Sequence, residues 1–286
     1  IERLEEASVG SPRLNGEMLL MFVLGVDRAY LYAHPERELS VEEQGRYNEA
    51  IARRSAGIPA QYITGHQEFW GLDFIVTPAV LIPRPETEHL VETVLELTAR
   101  IPQPKLVDVG TGSGCIAVAL AHELPQAQIY ACDLSAEALE IAKANAVRLQ
   151  LESRVRFLRA DILANLDRQP AGTSREWGKL ILSGLDFVVS NPPYVGFGEA
   201  DHVQAEVRKF EPRIAVFAGE DGLDIIRPLI EQAHAALKPG GWLLMEIGFS
   251  MRDAVLALLS PTMWEETRVV PDLQGIPRVI GASKRH

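Results

Sequence analysis

The fold of this chain is decided by the stretch Val107-Asp108-Val109-Gly110-Thr111-Gly112-Ser113-Gly114. It joins an apolar run to the apolar segment 115–123 through three glycines that alternate with polar residues. Glycine allows a sharp turn and a close approach of the backbone to a ligand, and a helix N-terminus favours polar or anionic groups. The stretch therefore predicts a strand, a tight loop and a helix, the arrangement that binds nucleoside-containing cofactors in doubly wound sheets. A purely structural tight turn is the alternative.

Three further positions indicate the kind of cofactor. A dinucleotide fingerprint, Gly-x-Gly-x-x-Gly, needs glycine where this chain has Cys115. Asp133 ends the next predicted strand about 20 residues on, where a carboxylate can accept hydrogen bonds from both ribose hydroxyls. Asp161-Ile162 follows the strand after that, where we expect the carboxylate to face the exocyclic amine of adenine; a helix-capping Asp is the alternative. The cofactor-binding candidates in these loops are Gly110, Thr111, Gly112, Ser113, Gly114, Asp133, Asp161 and Ile162.

Outward from this stretch the chain alternates between predicted strands and helices. Strands are predicted at 105–109, 128–132, 155–158, 186–190 and 242–247, with a final strand pair at 264–270 and 278–280. Helices are predicted at 115–123, 136–149 and 223–237. The sequence therefore predicts an α/β fold with a doubly wound, mostly parallel, seven-stranded sheet. The polar segment 164–184 is an unusually long connection, and we expect its tip to be mobile.

The chain before this sheet divides into two parts. Residues 1–57 are helical in pattern: Ser11-Pro12 precedes one predicted helix, and Ser40 and Glu43 form a capping box at the start of another. The first helix repeats apolar residues at helical spacing, at Leu14, Met18, Met21 and Phe22. We therefore expect a small helical bundle. Over 58–83 the runs 61–65 and 69–76 predict a strand pair, a β-hairpin linker. Residues 84–286 then form a larger domain that contains the predicted sheet.

A second loop carries chemistry. Asn191-Pro192-Pro193-Tyr194 follows the apolar run 187–190 directly. Two prolines fix φ and remove two N–H donors, so the loop is rigid and offers mainly acceptors. The Asn191 side-chain oxygen and the backbone carbonyls can accept from a planar –NH2 group, and Tyr194 adds an aromatic face. The loop therefore favours a site that holds an –NH2 group, with a proline-rich turn as the alternative.

Composition narrows the class of protein. The net charge is −11, which argues against a nucleic-acid backbone as the main partner. No apolar run approaches the roughly 20 residues that span a bilayer, and no signal peptide is visible. Cys115 and Cys132 are too few for a disulfide framework, and the histidines lack metal-ligand spacing. We expect a cytoplasmic protein without a bound metal.

Taken in order, these motifs resemble the class I S-adenosylmethionine-dependent amino-methyltransferases. The flanking segments 59–65, 81–88, 220–223 and 246–248 resemble the HemK-type protein-(glutamine-N5) methyltransferases, and the similarity extends from about residue 12 to 281. The resemblance implies S-adenosyl-L-methionine as cofactor and, as protein partner, a peptide-chain release factor. Its Gly-Gly-Gln glutamine would be methylated on the side-chain amide nitrogen, which modulates translation termination.

The resemblance also implies roles for individual residues. Asn191, Pro192 and Tyr194 would be catalytic, Pro193 would join them in binding the substrate amide, and Asn191 would also contact the cofactor. Residues 1–57 would recognise the substrate. We expect a monomer, because no coiled coil or long exposed apolar stripe is evident. Glu211-Pro212 and Arg213 would shape the rim of the site, with an ordinary surface turn as the alternative.

Other functions stay open at this point. An adenine-N6 nucleic-acid methyltransferase also needs acceptors for an –NH2 group and an aromatic stacking partner, but the acidic charge and the small N-terminal bundle oppose it. A glutamine methyltransferase that acts on a ribosomal protein would have the same catalytic loop. A dinucleotide-dependent oxidoreductase lacks its third glycine here, and a non-catalytic cofactor-binding protein would have no need of the 191–194 loop.

Overall fold

The N-terminal part of the protein is a small helical bundle. The computed structural model of the protein describes residues 1–164 and 184–286. The bundle consists of α1 (Glu2–Glu6), α2 (Pro12–Leu24), α3 (Arg28–Ala33), α4 (Val41–Ser55) and α5 (Ala60–Thr64). Its core contains Leu4, Leu19, Ala50, Ile51 and Ile63. The capping box of α4 is confirmed, because the Ser40 hydroxyl accepts from the Glu43 amide at 3.2 Å and the Glu43 carboxylate accepts from the Ser40 amide at 2.8 Å.

Helix α2 buries a different face from the one that its apolar spacing suggests. Leu14 and Phe22 are exposed, whereas Leu19 and Val23 are buried. Ser11 stands at the N-cap position, yet it makes no side-chain capping bond and its φ is +49°. Because α2 is apolar around most of its circumference, its packing partners select the buried face.

The segment 61–65 is a helix, so the predicted strand there is wrong. Helix α5 occupies it, and the hairpin is formed downstream by β1 (His66–Phe69) and β2 (Leu72–Ile75). Gly65, with φ +80°, ends α5 in the left-handed conformation that glycine favours. Trp70 and Gly71 connect β1 to β2, and both have positive φ, as a tight hairpin turn requires. Tyr62 and Ile63 are buried in two different apolar clusters, so tertiary packing stabilises a helix over an otherwise strand-like run.

The larger part of the protein contains the predicted doubly wound sheet. Its strands are β3 (Lys105–Val109), β4 (Gln128–Asp133), β5 (Val155–Arg159), β6 (Leu185–Ser190), β7 (Leu237–Glu246), β8 (Trp264–Pro271) and β9 (Pro277–Lys284). They are ordered β5-β4-β3-β6-β7-β9-β8. All neighbours from β5 to β7 are parallel, and β9 runs antiparallel to both β7 and β8. The mostly parallel seven-stranded sheet is therefore confirmed; β7 begins earlier than the strand predicted at 242–247.

Helices cover both faces of the sheet. They are α6 (Glu88–Thr98), α7 (Cys115–Glu123), α8 (Ala136–Arg148), α9 (Ala205–Phe210), α10 (Arg213–Val216), α11 (Ile226–Ala236) and α12 (Arg252–Leu258), with short 3-10 turns at Pro85–Thr87 and Phe197–His202. Along β3, Leu106 packs into the cluster beside α6 and α7, and Val107 packs into the cluster beside α11 and α12. All of β6 is buried, as expected for a central strand between two helical layers.

The strand order reverses at β3, because β4 lies on one side of it and β6 on the other. Loops that leave such a switch point diverge and leave a crevice between them. The glycine-rich loop after β3 and the 191–194 loop after β6 are the two loops at this point. The topology therefore brings together the two motifs that carry the predicted chemistry.

Three further expectations concern the long connection 164–184, membrane-spanning helices and metal-binding side chains. The long connection predicted at 164–184 falls on residues 165–183, outside the described residues. Among the residues described, no helix is both long and apolar enough to cross a membrane. The same part of the chain contains no group of three or more His, Cys, Asp or Glu side chains arranged to hold a metal ion.

Candidate active site

A cleft that is partly open to solvent lies at the carboxyl ends of the parallel strands. Most of the predicted site residues line it, and they are Gly110, Thr111, Gly112, Ser113, Asp133, Asp161, Ile162, Asn191, Pro192 and Pro193. Gly114 and Tyr194 do not line it. The cleft is also lined by residues that follow the β-hairpin, Ala79, Val80, Leu81, Pro83 and Arg84, and by Pro212, Ile214 and Ala215.

The glycine-rich loop is held in place by its own backbone. The amides of Gly110 and Thr111 both donate to the Cys132 carbonyl, at 2.8 and 3.0 Å, which ties the loop to the end of β4. Gly110 has φ +71°, and a Cβ built there would meet no atom of the described chain within 4 Å. Gly114 differs, because a Cβ there would lie 3.0 Å from the Ala142 Cβ. Gly110 therefore leaves room in the cleft, while Gly114 allows α7 and α8 to pack closely.

The buried carboxyl group of Asp108 holds the glycine-rich loop through hydrogen bonds. Asp108 is fully buried; its Oδ2 accepts from the Thr111 hydroxyl at 2.6 Å and from the Ala117 amide at 3.2 Å. Its Oδ1 has no hydrogen-bond partner in the described chain. Burial raises the pKa of Asp108 to about 7. Asp108 thus joins the loop to the first turn of α7 and does not itself line the cleft.

Asp133 offers fixed acceptors to the cleft. The Gly112 amide donates to its Oδ2 at 2.9 Å, and the Ser135 amide donates to its Oδ1 at 2.8 Å. Each carboxylate oxygen has more than one acceptor position, so two of these remain for a ligand. Desolvation raises the pKa of this carboxyl above its ordinary value. The geometry suits recognition of a pair of hydroxyl groups.

Ile162 reaches the cleft from a strained turn. Its φ is +57°, a conformation that costs a β-branched residue about 1–3 kcal/mol. The Ile162 carbonyl accepts from the Cys132 thiol at 3.1 Å, and the Leu163 amide donates to the Gln232 side chain at 2.9 Å. These contacts hold the turn, so Ile162 forms an apolar wall of the cleft next to the exposed Asp161.

The loop 191–194 is fixed from both sides. The Ser190 hydroxyl donates to the Val109 carbonyl at 2.7 Å, which joins the end of β6 to the end of β3. A Cβ built at Gly222 would lie 2.2 Å from the Tyr194 carbonyl oxygen, and one at Gly248 would lie 3.2 Å from the Tyr194 ring. The motifs 220–223 and 246–248 therefore pack directly on this loop, and glycine at both positions makes the approach possible.

Asn191 takes part in a chain of hydrogen bonds that the sequence did not reveal. Its Nδ2 donates to the Thr87 hydroxyl at 3.1 Å, and that hydroxyl donates to the Glu246 carboxylate at 2.5 Å. The Tyr194 hydroxyl donates to the other Glu246 oxygen at 3.3 Å. Burial raises the pKa of the Tyr194 phenol, so it stays protonated and can donate. The sequence signals for Glu246 are an acid at the end of an otherwise apolar strand and the family resemblance of the segment 246–248, and neither indicates Thr87 or Asn191 as its neighbours.

At the rim of the cleft an ion pair joins distant segments of the chain. The buried Glu211 carboxylate accepts from the Ile82 amide at 3.0 Å and from the Arg84 guanidinium at 2.5 Å. The next residue, Pro212, lines the cleft, and the Arg213 guanidinium stacks 4.7 Å from the Phe217 ring centroid. The two alternatives for the segment 211–213 are the rim of the site and an ordinary surface turn. Because Pro212 lines the cleft, the segment contributes to its rim.

The fold and the domain composition define the class of this protein. Residues 86–209 match the family described as methyltransferase small domain, and residues 1–65 match the PrmC N-terminal domain. A solved methyltransferase from Pyrococcus furiosus aligns with a TM-score of 0.51 at 17% identity, covering 86% of this chain and 100% of that one. At this identity the likeness shows the fold alone. The protein is a methyltransferase of the S-adenosylmethionine-dependent type.

Sequence relatives identify the family. A release factor glutamine methyltransferase of Koribacter versatilis is 55% identical over 99% of this chain and 95% of its own length. One from Moorella thermoacetica is 43% identical over 100% of this chain and 96% of its own length. The chain belongs to the family of release factor glutamine methyltransferases.

Proposed function

We propose that this protein transfers a methyl group from S-adenosyl-L-methionine to a glutamine side-chain amide of peptide-chain release factors. The glutamine is that of the Gly-Gly-Gln motif, and its methylation modulates translation termination. The observation that carries the proposal is the placement of Asn191. Its Nδ2 donates to Thr87, and Asn191 lines the same cleft as the glycine-rich loop. These two contacts support the inference that its acceptor oxygen faces the cleft.

The residues of the cleft fit the cofactor. Gly110 leaves open space beside the loop, and the two fixed oxygens of Asp133 suit ribose hydroxyls. Ile162 and Asp161 suit the face and the amine of adenine. Further candidate contacts come from Thr111, Gly112, Ser113 and Asn191, whereas Gly114 does not line the cleft. When bound, this cofactor supplies a methyl group on a positively charged sulfur, which leaves as a neutral thioether.

The chain's own residues must make an amide nitrogen reactive, because its lone pair is delocalised into the carbonyl. We infer that the Asn191 side-chain oxygen and the Pro192 carbonyl accept the two N–H bonds of the substrate amide and orient its nitrogen. Pro193 keeps the loop rigid, and Tyr194 packs against the substrate side chain. The nitrogen forms its bond to the methyl carbon and then loses a proton to water, so no strong base is required. Positioning and fixed dipoles contribute most of the acceleration.

The helical bundle is proposed to recognise the release factor. It is joined to the catalytic part by Arg54, whose buried guanidinium donates to Asn15 at 2.7 Å and pairs with Glu206 at 2.8 Å. We take residues 1–57 as the recognition domain, 58–83 as the hairpin linker and 84–286 as the catalytic domain. The enzyme is proposed to act as a cytoplasmic monomer on protein rather than on nucleic acid, in keeping with its net charge of −11.

The test is methyl transfer from labelled S-adenosylmethionine. Three acceptors are compared: a release factor, its Gly-Gly-Gln to Gly-Gly-Ala variant, and single-stranded or duplex DNA. We expect label on the unmodified factor alone. Label on DNA would overturn the protein substrate, and label on the Gly-Gly-Ala variant would overturn the choice of glutamine. If no acceptor is labelled, a ribosomal protein is the next substrate to compare.

A further inference from the structure

We propose that Thr87 and Glu246 are positioning residues, which together hold the Asn191 amide with its oxygen toward the substrate. This inference rests on the proposed function, because it concerns the amide that would accept from the substrate –NH2 group. Thr87 lies at the start of α6 and Glu246 at the end of β7, and neither belongs to the 191–194 loop. Both are almost completely buried, with 2% and 3% exposure.

The Asn191 side-chain amide can take two flipped orientations, and one of them must be selected for the substrate to bind. An amide has similar shape in its two flipped orientations, but one presents an acceptor and the other presents two donors. A substrate –NH2 group also presents donors. With Asn191 flipped, donors would face donors, and the substrate nitrogen would not be bound in a reactive orientation.

The direction of the hydrogen bonds removes this ambiguity. A carboxylate can only accept, so the Thr87 hydroxyl must direct its single proton to Glu246, at 2.5 Å. The side of the hydroxyl that faces Asn191 then offers only a lone pair. Asn191 must therefore present its Nδ2 to Thr87, at 3.1 Å, which leaves its oxygen for the substrate. The charge state of Glu246 thus fixes the orientation of an amide that it does not touch.

The surroundings of Glu246 make this device sensitive to protonation. Burial raises the pKa of Glu246 to about 7, the nearby Glu86 adds to the rise, and the Thr87 and Tyr194 hydrogen bonds and Arg278 oppose it. Cys115 is a further titratable group that interacts with Glu246, and burial raises the pKa of its thiol, so it stays protonated. Below about pH 7 a protonated Glu246 can donate to Thr87, and the Thr87 proton is then free to face Asn191. We expect the amide orientation to lose its bias there.

The test compares three substitutions with a matched control. Thr87→Val keeps the shape but removes the hydroxyl, and Thr87→Ser keeps the hydroxyl. Glu246→Gln keeps the shape but replaces a group that can only accept with an amide that can accept or donate. Thr93→Val makes the same change at another buried threonine of α6, whose hydroxyl donates to the His89 carbonyl. Each variant is assayed for kcat on a release factor, for cofactor Kd by calorimetry and for melting temperature.

The expected pattern separates positioning from folding. Thr87→Val should lower kcat by about 10²-fold with cofactor Kd within about threefold, whereas Thr87→Ser should recover most of the loss. Glu246→Gln should lower kcat about tenfold and abolish the decline of kcat below pH 7 that wild type shows. Thr93→Val should behave as wild type. Equal kcat in Thr87→Val and Thr93→Val, or equal loss in Thr87→Val and Thr87→Ser, would overturn the inference.

A second readout does not depend on the substrate. In ¹⁵N-labelled protein the Asn191 side-chain amide should show one slowly exchanging proton, which is lost in Thr87→Val and kept in Thr87→Ser and Thr93→Val. If wild type leaves every release factor unlabelled, the proposed function fails. The Asn191 amide signal alone then tests whether Thr87 and Glu246 orient this amide. An Asn191 amide signal that is the same in wild type and Thr87→Val would overturn the inference even if the enzyme is active.

Discussion

Gly110 and Gly114 belong to one motif, yet the structure assigns them different tasks, and substitution by alanine should separate these tasks. Both have positive φ, +71° and +83°, so alanine at either site incurs the strain of a left-handed backbone, roughly 1–2 kcal/mol. At Gly110 no steric cost adds to this strain, because the new methyl group meets no atom of the described residues within 4 Å. At Gly114 the methyl group would lie 3.0 Å from the Ala142 Cβ and 3.2 Å from its Cα.

The Gly114 contact involves backbone and Cβ atoms that cannot rotate away, so α7 and α8 must shift. Such overpacking costs about 1–3 kcal/mol in addition to the strain. Gly114→Ala should therefore lower the free energy of unfolding by about 2–5 kcal/mol, and Gly110→Ala by about 1–2 kcal/mol. For cofactor binding the order of the two variants should be reversed. Gly110→Ala places a methyl group in the cleft and should weaken cofactor binding about tenfold or more, or about 1.4 kcal/mol.

Urea denaturation followed by circular dichroism measures the first quantity, and calorimetric titration with S-adenosylmethionine measures the second, on the intact chain in both cases. Wild type is the reference for each. The reasoning would be refuted if Gly114→Ala unfolded with the wild-type free energy. It would also be refuted if Gly114→Ala weakened cofactor binding more than Gly110→Ala did while the protein remained folded.

Three other predictions concern the acceptor, the buried acid and the bundle. Asn191→Ala should lower kcat by about 10²–10³-fold and leave cofactor Kd within about threefold; activity near wild type would contradict the role of its oxygen. Asp108 has a folded-state pKa raised to about 7, so its contribution to stability is fully present below its unfolded pKa and is lost as the pH rises through about 7. The free energy of unfolding of wild type, relative to Asp108→Asn, should therefore fall as the pH rises from about 4 to about 7, by at most about 1.4 kcal/mol per pH unit. Urea titrations that show no such slope would contradict the raised pKa of Asp108. Phe22 is exposed on α2, so Phe22→Asp should leave the cofactor Kd unchanged. If this face of the bundle contacts the substrate, the variant should raise the KM for the release factor about tenfold in steady-state kinetics. An unchanged KM in the folded variant would show that this face does not contact the substrate.

Much of the fold follows from local pattern. The strand at 105–109 and the helix at 115–123 have the predicted bounds, because an apolar run, a glycine loop and a second apolar run leave the backbone few alternatives. The alternation beyond them requires a parallel sheet, which the strand pairing confirms. The hairpin shows where local pattern fails. Residues 61–65 have strand-like composition but form a helix, since Tyr62 and Ile63 are buried against different neighbours.

The local character of the two loops can be recognised in the amino-acid sequence alone. Glycines that need positive φ, prolines that fix φ and a carboxylate at a strand end are properties of a few adjacent residues, and adjacent residues are what a sequence displays. Tertiary structure alone decided which groups support them. Thr87 lies 104 residues from Asn191 and 159 from Glu246, and the three meet only because β6 and β7 are neighbours and α6 packs beside them. Hydrogen bonds act over about 3 Å of space, whatever the separation along the chain, so the orientation of Asn191 is a property of the folded protein.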